Sequence, residues 1–363
     1  YMHGLLQQLP NKSIETMILH NDGDDPNSIR AMQHFISQGA WDDATILDRH
    51  VVEVDKDLGD EDGVLIVDGS DFPKHGTESV GVKRQWCGQL GKVANCQAGV
   101  FLGYASRHGY TLLDRRLYMP LDWFEGEAYA QRRHQCDVPK DLAFQTKQEL
   151  ALAMVKGVAN SGNLRYRWLT CDEFFGRDSD FLDGVAPYAW YLAEVPKNTE
   201  VWLQRPRTEV PAWSGYGRKP TRVLLANGEP KSQAVTLVAT QLPQEAWQQY
   251  TIKEGTKGPI VAEFAALRVI NVRDNLPGHE VWLICRRDIL SGEHKFYLSN
   301  APPETPLTTF VRVAGLRWPI ESCFEEGKQE LGLGDYQVRS WVGWHHHMTL
   351  CILALSLIHI SEP

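Results

Sequence analysis

Three acidic residues far apart in the sequence have the surroundings that a metal-dependent active site needs. Asp68 ends the apolar run GVLIVD and Asp172 follows the run YRWLTC, and both runs predict buried strands, whereas Glu321 lies on a predicted helix. Carboxylates that converge in a buried site cannot all stay ionised without a compensating charge, which a hard divalent cation supplies. Two such ions about 3.5–4 Å apart hold the attacking and leaving oxygens of a phosphodiester. Together the three acids predict phosphodiester chemistry.

Each acid taken alone has a simpler interpretation. A single Asp after a strand is more often a turn former or the N-cap of the next helix. Asp71 is close enough to replace Asp68, and either Asp172 or Glu173 can cap the helix that follows them. The hypothesis therefore depends on the set of three acids and not on any one of them.

One helix carries the most specific pattern. Arg317, Glu321, Phe324 and Lys328 are separated by 4, 3 and 4 residues, so they form one stripe on a helix of 3.6 residues per turn. A carboxylate with a guanidinium on one side and an ammonium on the other suits a metal flanked by phosphates. An exposed helix with an Arg317–Glu321 ion pair explains the spacing equally well. Glu325 lies close enough to the stripe to be a substitute ligand.

The elements that must position these residues follow one another in a mixed order. The first 60 residues have apolar side chains at helical spacing, and strands are predicted at GVLIVDG, Cys96–Ser106 and Gly109–Tyr118. The RHG turn between the last two favours an antiparallel hairpin. A helix begins near Thr146, which has capping-box spacing to Glu149, and strands are expected again at YRWLTC and YAWYLAEVP. This order predicts an α/β fold with a partly antiparallel sheet.

The composition is that of an ordinary globular protein. Hydrophobic residues are 43% and charged residues 23% of the 363 residues, which excludes a disordered chain or a coiled coil. The net charge of −9 argues against a protein that coats nucleic acid through charge alone, but not against local basic patches around an acidic site. Seven cysteines without a C-x-x-C pair predict buried thiols in a reducing compartment and neither a zinc knuckle nor a disulfide framework.

The end of the chain contains its longest apolar run. Met348–Ile360 is 13 residues long, and a membrane span needs about 20, so a buried core helix is predicted. The chain starts without Met and stops just after this run, and we expect a truncated gene product, a fragment at both ends. The tail SLIHISEP resembles translated adapter read-through, so no structure is predicted from it.

Several of these motifs resemble those of bacterial insertion-sequence DDE transposases. Their signature is Tyr, two residues, Arg, three residues, Glu, six residues, Lys, which this chain matches at Arg317, Glu321 and Lys328 but not at Ala314, the tyrosine position. VDGSDFPKHGTESVGVKRQWCGQLGKVANCQAGVFLGYAS, LTCDEFFGRD, WLQRPRTEVPAWSGYGRKPTR, KFYLSNAPPET and GLRWPIESCFEEGKQELGLGDYQVRSWVGWHHHMTLCILAL are similar to the branch named after insertion sequence 701, within the superfamily of insertion sequence four. The similarity runs from about residue 4 to residue 355.

The resemblance implies a fold and a division of the chain. The fold is an RNase H-like mixed sheet flanked by helices, with a β-rich insertion before the catalytic glutamate and a helical N-terminal region. The predicted parts are a helical region at 1–60, the first part of the core at 61–196, the insertion at 197–293 and the last strand and helices at 294–363. Short β-like runs and more Pro, Gly and Thr mark the insertion independently.

The resemblance also implies an activity and its site. Asp68, Asp172 and Glu321 are expected to be catalytic and to bind two Mg²⁺ or Mn²⁺ ions. The expected reaction is hydrolysis of a phosphodiester at the transposon ends, followed by strand transfer into target DNA. The expected partners are DNA, both terminal inverted repeats and target, and a second copy in a homodimer, with no membrane partner and a location at the bacterial nucleoid in the cytoplasm. A nuclease without strand transfer, or a catalytically dead DNA-binding remnant, is the alternative.

Basic and aromatic residues outside the stripe have less specific signals. Arg317 and Lys328 are expected to hold phosphates, and further DNA contacts are predicted at Lys74, Arg218, Lys219 and Arg222, of which the last three lie in a glycine-rich loop. Lys83 and Arg84 follow Lys74 in the same glycine-containing stretch and could also contact the DNA backbone, but solvated loop charges explain all three equally well. Trp202, Trp213 and Trp247 are candidates for stacking a flipped base, though each is more often a core residue. His345, His346 and His347 face different directions on a helix and are predicted to serve its surface and packing rather than to share an ion.

Overall fold

The computed structural model describes residues 1–23, 25–255 and 258–361. It is an α/β structure in which helices pack on sheet strands, which confirms the predicted fold class and is consistent with an RNase H-like core. The residues group into two units, one of Tyr1–Trp168 with Leu316–Pro363 and the other of Leu169–Gly315. The boundaries of the four predicted parts stay predictions.

The first part of the chain is helical, as the apolar spacing predicts. Its helices are α1 (Met2–Leu6), α2 (Ile14–Asn21), α3 (Pro26–Gln38) and α4 (Asp43–Leu58). Ser13, Asp25 and Asp42 cap the last three of them by accepting hydrogen bonds from backbone N–H groups of the first turn. Helix α4 buries one face in the first unit, which holds it against the sheet described next.

The sheet of the first unit is an antiparallel meander with one additional strand. It consists of β1 (Val64–Pro73), β2 (Lys83–Cys87), β3 (Lys92–Ser106) and β4 (Gly109–Tyr118). Strand β3 pairs with each of the other three, and the predicted hairpin at RHG joins it to β4. Strand β1 continues past Asp68, where the sequence predicted its end, because β3 provides antiparallel partners as far as Pro73. Strand β2 was not predicted.

Two helices complete the first stretch of this unit, α5 (Glu127–Gln135) and α6 (Lys147–Ser161). The capping box at the start of α6 forms as predicted, since the Thr146 side chain accepts from the Glu149 N–H and the Glu149 carboxylate accepts from the Thr146 N–H. Helix α6 ends at Gly162, which has a left-handed conformation (φ 63°) that favours glycine. The helix packs on β3 and β4 and so backs the sheet.

The second unit is rich in strands. Its elements are β5 (Trp168–Cys171), α7 (Glu173–Gly176), α8 (Ser179–Val185), β6 (Trp190–Val195), β7 (Glu200–Trp202), β8 (Thr208–Glu209), β9 (Leu224–Leu225), β10 (Gln233–Ala234), α9 (Val235–Gln241), β11 (Gln248–Gly255), β12 (Gly258–Arg273), β13 (Leu276–Asp288), β14 (His294–Ser299) and α10 (Leu307–Gly315). The strand order is β10-β7-β12-β13-β14-β6-β5, with β11 also on β12. A two-residue turn at Asp274 and Asn275, both with positive φ, joins the long strands β12 and β13.

The last two helices return to the first unit. They are α11 (Pro319–Gln329) and α12 (Trp341–Ser361). The apolar run at Met348 lies in α12 and is mostly buried against β4, α3 and α4, which confirms the predicted core helix. Within the described part of the chain, none of the helices combines the length and the apolar character needed to cross a membrane. All seven cysteines are free and buried, as predicted.

The three consecutive histidines of α12 are packing residues, but the prediction that they also serve the helix surface was wrong. His345, His346 and His347 are all buried. His346 stacks on Trp41 with ring centres 3.6 Å apart, whereas His347 Nδ1 lies 2.7 Å from the hydroxyl of Tyr1. His346 and His347 thus have separate packing partners.

Burial of His347 predicts a loss of stability in acid. Burial lowers its pKa to about 3 from an ordinary value of 6.5, and the nearby charge of Lys74 acts in the same direction. The unfolded chain therefore takes up the proton first, so stability that is complete above pH 6.5 is lost as the pH falls toward 3. We expect this residue to lower the free energy of unfolding by about 3 kcal/mol between pH 7 and pH 4.

Urea unfolding at a series of pH values measures this effect. His347→Gln should flatten the dependence on pH, whereas the same substitution at the exposed His20 should leave it unchanged. Equal slopes for the wild type and His347→Gln would contradict the prediction.

Candidate active site

Two of the three predicted acids meet at one arginine in the first unit. Arg317 Nη1 lies 3.5 Å from Asp68 Oδ2, and Arg317 Nη2 donates to Glu321 Oε1. The side chains of Arg317 and Asp68 are 16% and 17% exposed, while that of Glu321 is 36% exposed. One guanidinium thus compensates two carboxylates, of which that of Glu321 is the more exposed.

Packing of α11 on the central strand brings these residues together. Asp68 pairs across the sheet with Phe101 of β3, and Phe324 of α11 packs edge-on against the Phe101 ring at 5.2 Å between centres. Gly103 favours this close approach, because a Cβ there would lie 3.3 Å from Ile320 Cδ1, a tight contact that the isoleucine side chain would have to relieve. Since Glu321 lies one turn before Phe324, this packing carries its carboxylate toward Asp68.

Arg317 lies in a turn before the helix, not on the helix as the stripe predicted. The helix begins at Pro319, which has no N–H for the hydrogen-bond ladder and is therefore favoured in a first turn. The ion pair between Arg317 and Glu321 forms nevertheless, as the alternative interpretation of the spacing predicted. Arg317 also contacts Asp68, and both of these side chains are largely buried, so the interaction is not an ordinary surface ion pair.

Asp172 follows β5 as predicted and caps a helix. Its Oδ1 accepts a hydrogen bond from the Phe175 N–H at 3.2 Å, which places it at the start of α7 in the second unit. Of the two capping residues that the sequence left open, the structure uses Asp172, while Glu173 lies in the first turn. That Asp172 joins Asp68 and Glu321 around metal ions stays a prediction.

The other end of the predicted stripe is occupied by Lys328. Its Nζ lies 3.3 Å from the carbonyl oxygen of Asp71 and 3.2 Å from Gln89 Oε1, and 5.3 Å from the centre of the Phe72 ring. Burial lowers the pKa of Lys328. Asp71, which the sequence could not separate from Asp68, accepts the Gly88 N–H at 2.6 Å through Oδ2 and so serves a turn.

Lys74 is less accessible than a solvated loop charge would be. Its Nζ lies 3.4 Å from the centre of the Tyr336 ring and donates to the Tyr336 carbonyl at 3.2 Å. Burial lowers the pKa of Lys74 to about 8, against the opposing charge of Asp335. The predicted contact with DNA stays a prediction, and the ammonium already has a partner.

The other predicted DNA contacts lie between β8 and β9 in the second unit. Arg218, Lys219 and Arg222 are all exposed in this loop. Of the three candidate tryptophans, Trp202 and Trp247 are buried, whereas Trp213 is 51% exposed in the same loop. The structure therefore makes Trp213 the only one of the three that can stack on a base without rearrangement.

The donors at Arg317 are of the kind that magnesium prefers. Asp68 and Glu321 both present hard carboxylate oxygens to one positive centre, which a divalent cation can replace. Among the described residues, no group of three or more His, Cys, Asp or Glu side chains is close enough to hold a metal ion. The carboxylates of Asp68 and Glu321 therefore fit the implied cation in their chemistry.

Sequence reasoning missed the hairpin of β2 and β3 beside this site. Its turn contributes Gln89 to Lys328 and the Gly88 N–H to Asp71. The signal was present in KRQWCGQLGKVAN, where two alternating runs flank a glycine-containing turn, a pattern that favours a hairpin.

Comparison with known proteins identifies a family. The sequence model of the family described as DDE superfamily endonuclease matches residues 1–259, more than two thirds of the chain. The match contains Asp68 and Asp172 and ends before Glu321. A search of curated proteins finds no match.

Proposed function

This chain belongs to the DDE superfamily endonucleases, and from that premise we propose that it is a DNA transposase. Its proposed activity is metal-dependent hydrolysis of a phosphodiester at the transposon ends, followed by attack of the freed 3′-hydroxyl on target DNA. The branch of insertion sequence 701 is the proposed affiliation within the family. The proposed partners are the terminal inverted repeats, target DNA and a second copy of the chain at the nucleoid.

The observation that supports this proposal is the pair of carboxylates on Arg317. Bound Mg²⁺ or Mn²⁺, two ions per site, would supply Lewis-acid activation and charge neutralisation. Asp68, Asp172 and Glu321 are the residues that would hold the ions. The three carboxylates and the phosphates of the DNA backbone are all negatively charged. They repel each other unless a cation lies between them.

Basic residues then position the DNA. In the proposed complex Arg317 shifts part of its hydrogen bonding from the carboxylates to a phosphate, since a guanidinium binds either group in a bidentate manner. Lys328 holds the adjacent phosphate from the other side of Glu321. The protein contributes little covalent chemistry, so positioning and electrostatic stabilisation provide most of the rate.

Incubation of the purified chain with labelled element ends, a target plasmid and Mg²⁺ tests the proposed function. Ends joined to the plasmid are the expected product. Nicks without joined products would instead support a nuclease without strand transfer. Absence of both products, with DNA binding intact, would support a catalytically dead remnant and contradict the proposal.

The exposed loop between β8 and β9 gives a prediction for DNA binding. Replacing Arg218, Lys219 and Arg222 by Ala should weaken binding and reduce the slope of log affinity against log salt by about 2 to 3, because each phosphate contact releases counterions. Fluorescence anisotropy of a labelled duplex at several salt concentrations measures the slope.

The double variant Arg49→Ala and Lys56→Ala on α4 is the control, since these residues pair with Glu53. Equal slopes for both variants would contradict a DNA-tracking loop.

A further inference from the structure

The hairpin of β2 and β3 presents an unusual amount of apolar surface to solvent. Trp86 is 63% exposed, more than any other tryptophan that the structure describes. It pairs across the hairpin with Val93, which is also exposed, and Leu90 is exposed at the turn. All three side chains stay exposed in the folded chain. Packing in the core of the unit therefore does not explain why they are apolar.

The turn of this hairpin is attached to the candidate active site. The Gly88 N–H donates to Asp71 Oδ2 at 2.6 Å, and Asp71 lies three residues after Asp68 on the same strand. On the other side, Lys328 Nζ donates to Gln89 Oε1 at 3.2 Å, and Lys328 lies two turns after Glu321 on α11. The hairpin is therefore held at the Lys328 end of the site.

The charge around Trp86 suits a polyanion. No Asp or Glu occurs in the sequence between Glu78 and Asp114, although the chain has 46 acidic residues. Arg84 and Trp86 are two residues apart on β2, so they share one face of the hairpin, and both are exposed. Within the described structure Lys83 pairs with Asp122 at 2.7 Å, whereas Arg84 forms no ion pair.

We propose that Trp86 is a stacking platform for an unpaired base of the DNA strand beside the bond that is cut, with Arg84 on the neighbouring phosphate. The inference rests on the proposed function, because it takes DNA as the ligand of the site. An exposed indole stacks on any base, since every base has a π-face, and so needs no sequence-specific contact. A protein docked on the same face would have no reason to require a hairpin whose own sequence carries Lys83, Arg84 and Lys92 and no acidic residue.

Photocrosslinking tests the proposal with a defined probe, a duplex with a single-stranded thymidine tail that carries 5-iodouracil at successive positions. Trp86 should crosslink to a limited set of tail positions. Trp86→Leu, which keeps the apolar bulk, should remove that crosslink and weaken binding of the tailed duplex about tenfold. Trp86→Tyr, which keeps an aromatic face, should retain most of the affinity. Thermal unfolding of both variants checks that they fold.

Two controls separate this inference from the proposed function. Asp68→Asn should keep the Trp86 crosslink while it loses cleavage, so a chain that never cleaves can still support the stacking platform. Equal affinity of the Leu and Tyr variants for the tailed duplex would overturn the inference even if cleavage were normal. It would also be overturned if Trp86→Leu changed the oligomeric state without changing DNA binding, because the face would then be a protein interface.

Discussion

Asp172→Asn is expected to abolish Mg²⁺-dependent cleavage, by about a thousandfold or more, and to leave DNA binding unchanged. The reason is that Asn differs from Asp mainly in charge. Its side-chain oxygen can still accept the Phe175 N–H that Asp172 accepts at 3.2 Å, and Asn is as good an N-cap as Asp, so α7 should form normally. What is lost is the negative charge that a divalent cation requires. Cleavage of a labelled element end, with binding measured separately, gives both quantities.

The chain contains a matched control six residues further on. Asp178 caps α8 in the same way, accepting the Phe181 N–H at 2.8 Å. Asp178→Asn makes the same chemical change in the same structural role and should preserve cleavage. If the two variants retained equal activity, Asp172 would be a cap alone and the three-acid site would be wrong.

Arg317→Met is expected to separate the role of the guanidinium from that of the acids. Without it, Asp68 and Glu321 lose the positive charge that they share, so the metal-free chain should lose about 1–2 kcal/mol of unfolding free energy, a value that allows for the partial exposure of Glu321. Mg²⁺ should then raise the unfolding temperature more than it does in the wild type, because it replaces the missing charge. Cleavage should nevertheless fall about a hundredfold, since a phosphate contact is lost.

An exposed ion pair of the same spacing provides the control for this variant. Arg49 pairs with Glu53 four residues later on α4, with the arginine side chain 69% exposed. Arg49→Met should change neither stability nor the effect of Mg²⁺ measurably, as is usual for surface pairs. Weaker Mg²⁺ stabilisation of Arg317→Met than of the wild type would show that Arg317 organises the carboxylates instead of standing in for the cation.

Local signals in the sequence predicted much of the fold because the responsible interactions are themselves local. The capping box of Thr146 and Glu149 and the RHG turn before β4 involve residues only a few positions apart, and both form as predicted. The length of β1 could not be predicted in this way. It depends on β3 providing partners as far as Pro73, a contact between distant segments.

The same limit applies at the site. The i,i+4 spacing predicted the pair of Arg317 and Glu321, whereas the approach of Asp68 depends on Phe324 packing against a strand more than 200 residues away in the sequence. Pro319 moved Arg317 off the helix, which the stripe alone did not indicate. The histidines of α12 show the same limit. Their polar side chains suggested exposed positions, but the backbone oxygen of Ile36 and the ring of Trp41, both distant in the sequence, cover His346.

The central claim, that Asp68, Asp172 and Glu321 bind the same divalent cations, is tested most directly by iron-directed cleavage of the protein itself. Fe²⁺ is substituted for Mg²⁺, hydroxyl radicals are generated with ascorbate and peroxide, and the cut positions are mapped by mass spectrometry. Cuts in all three segments, around residues 68, 172 and 321, that excess Mg²⁺ suppresses and that Asp172→Asn abolishes, are the predicted result. Cuts near residues 68 and 321 without any near residue 172 would contradict the claim.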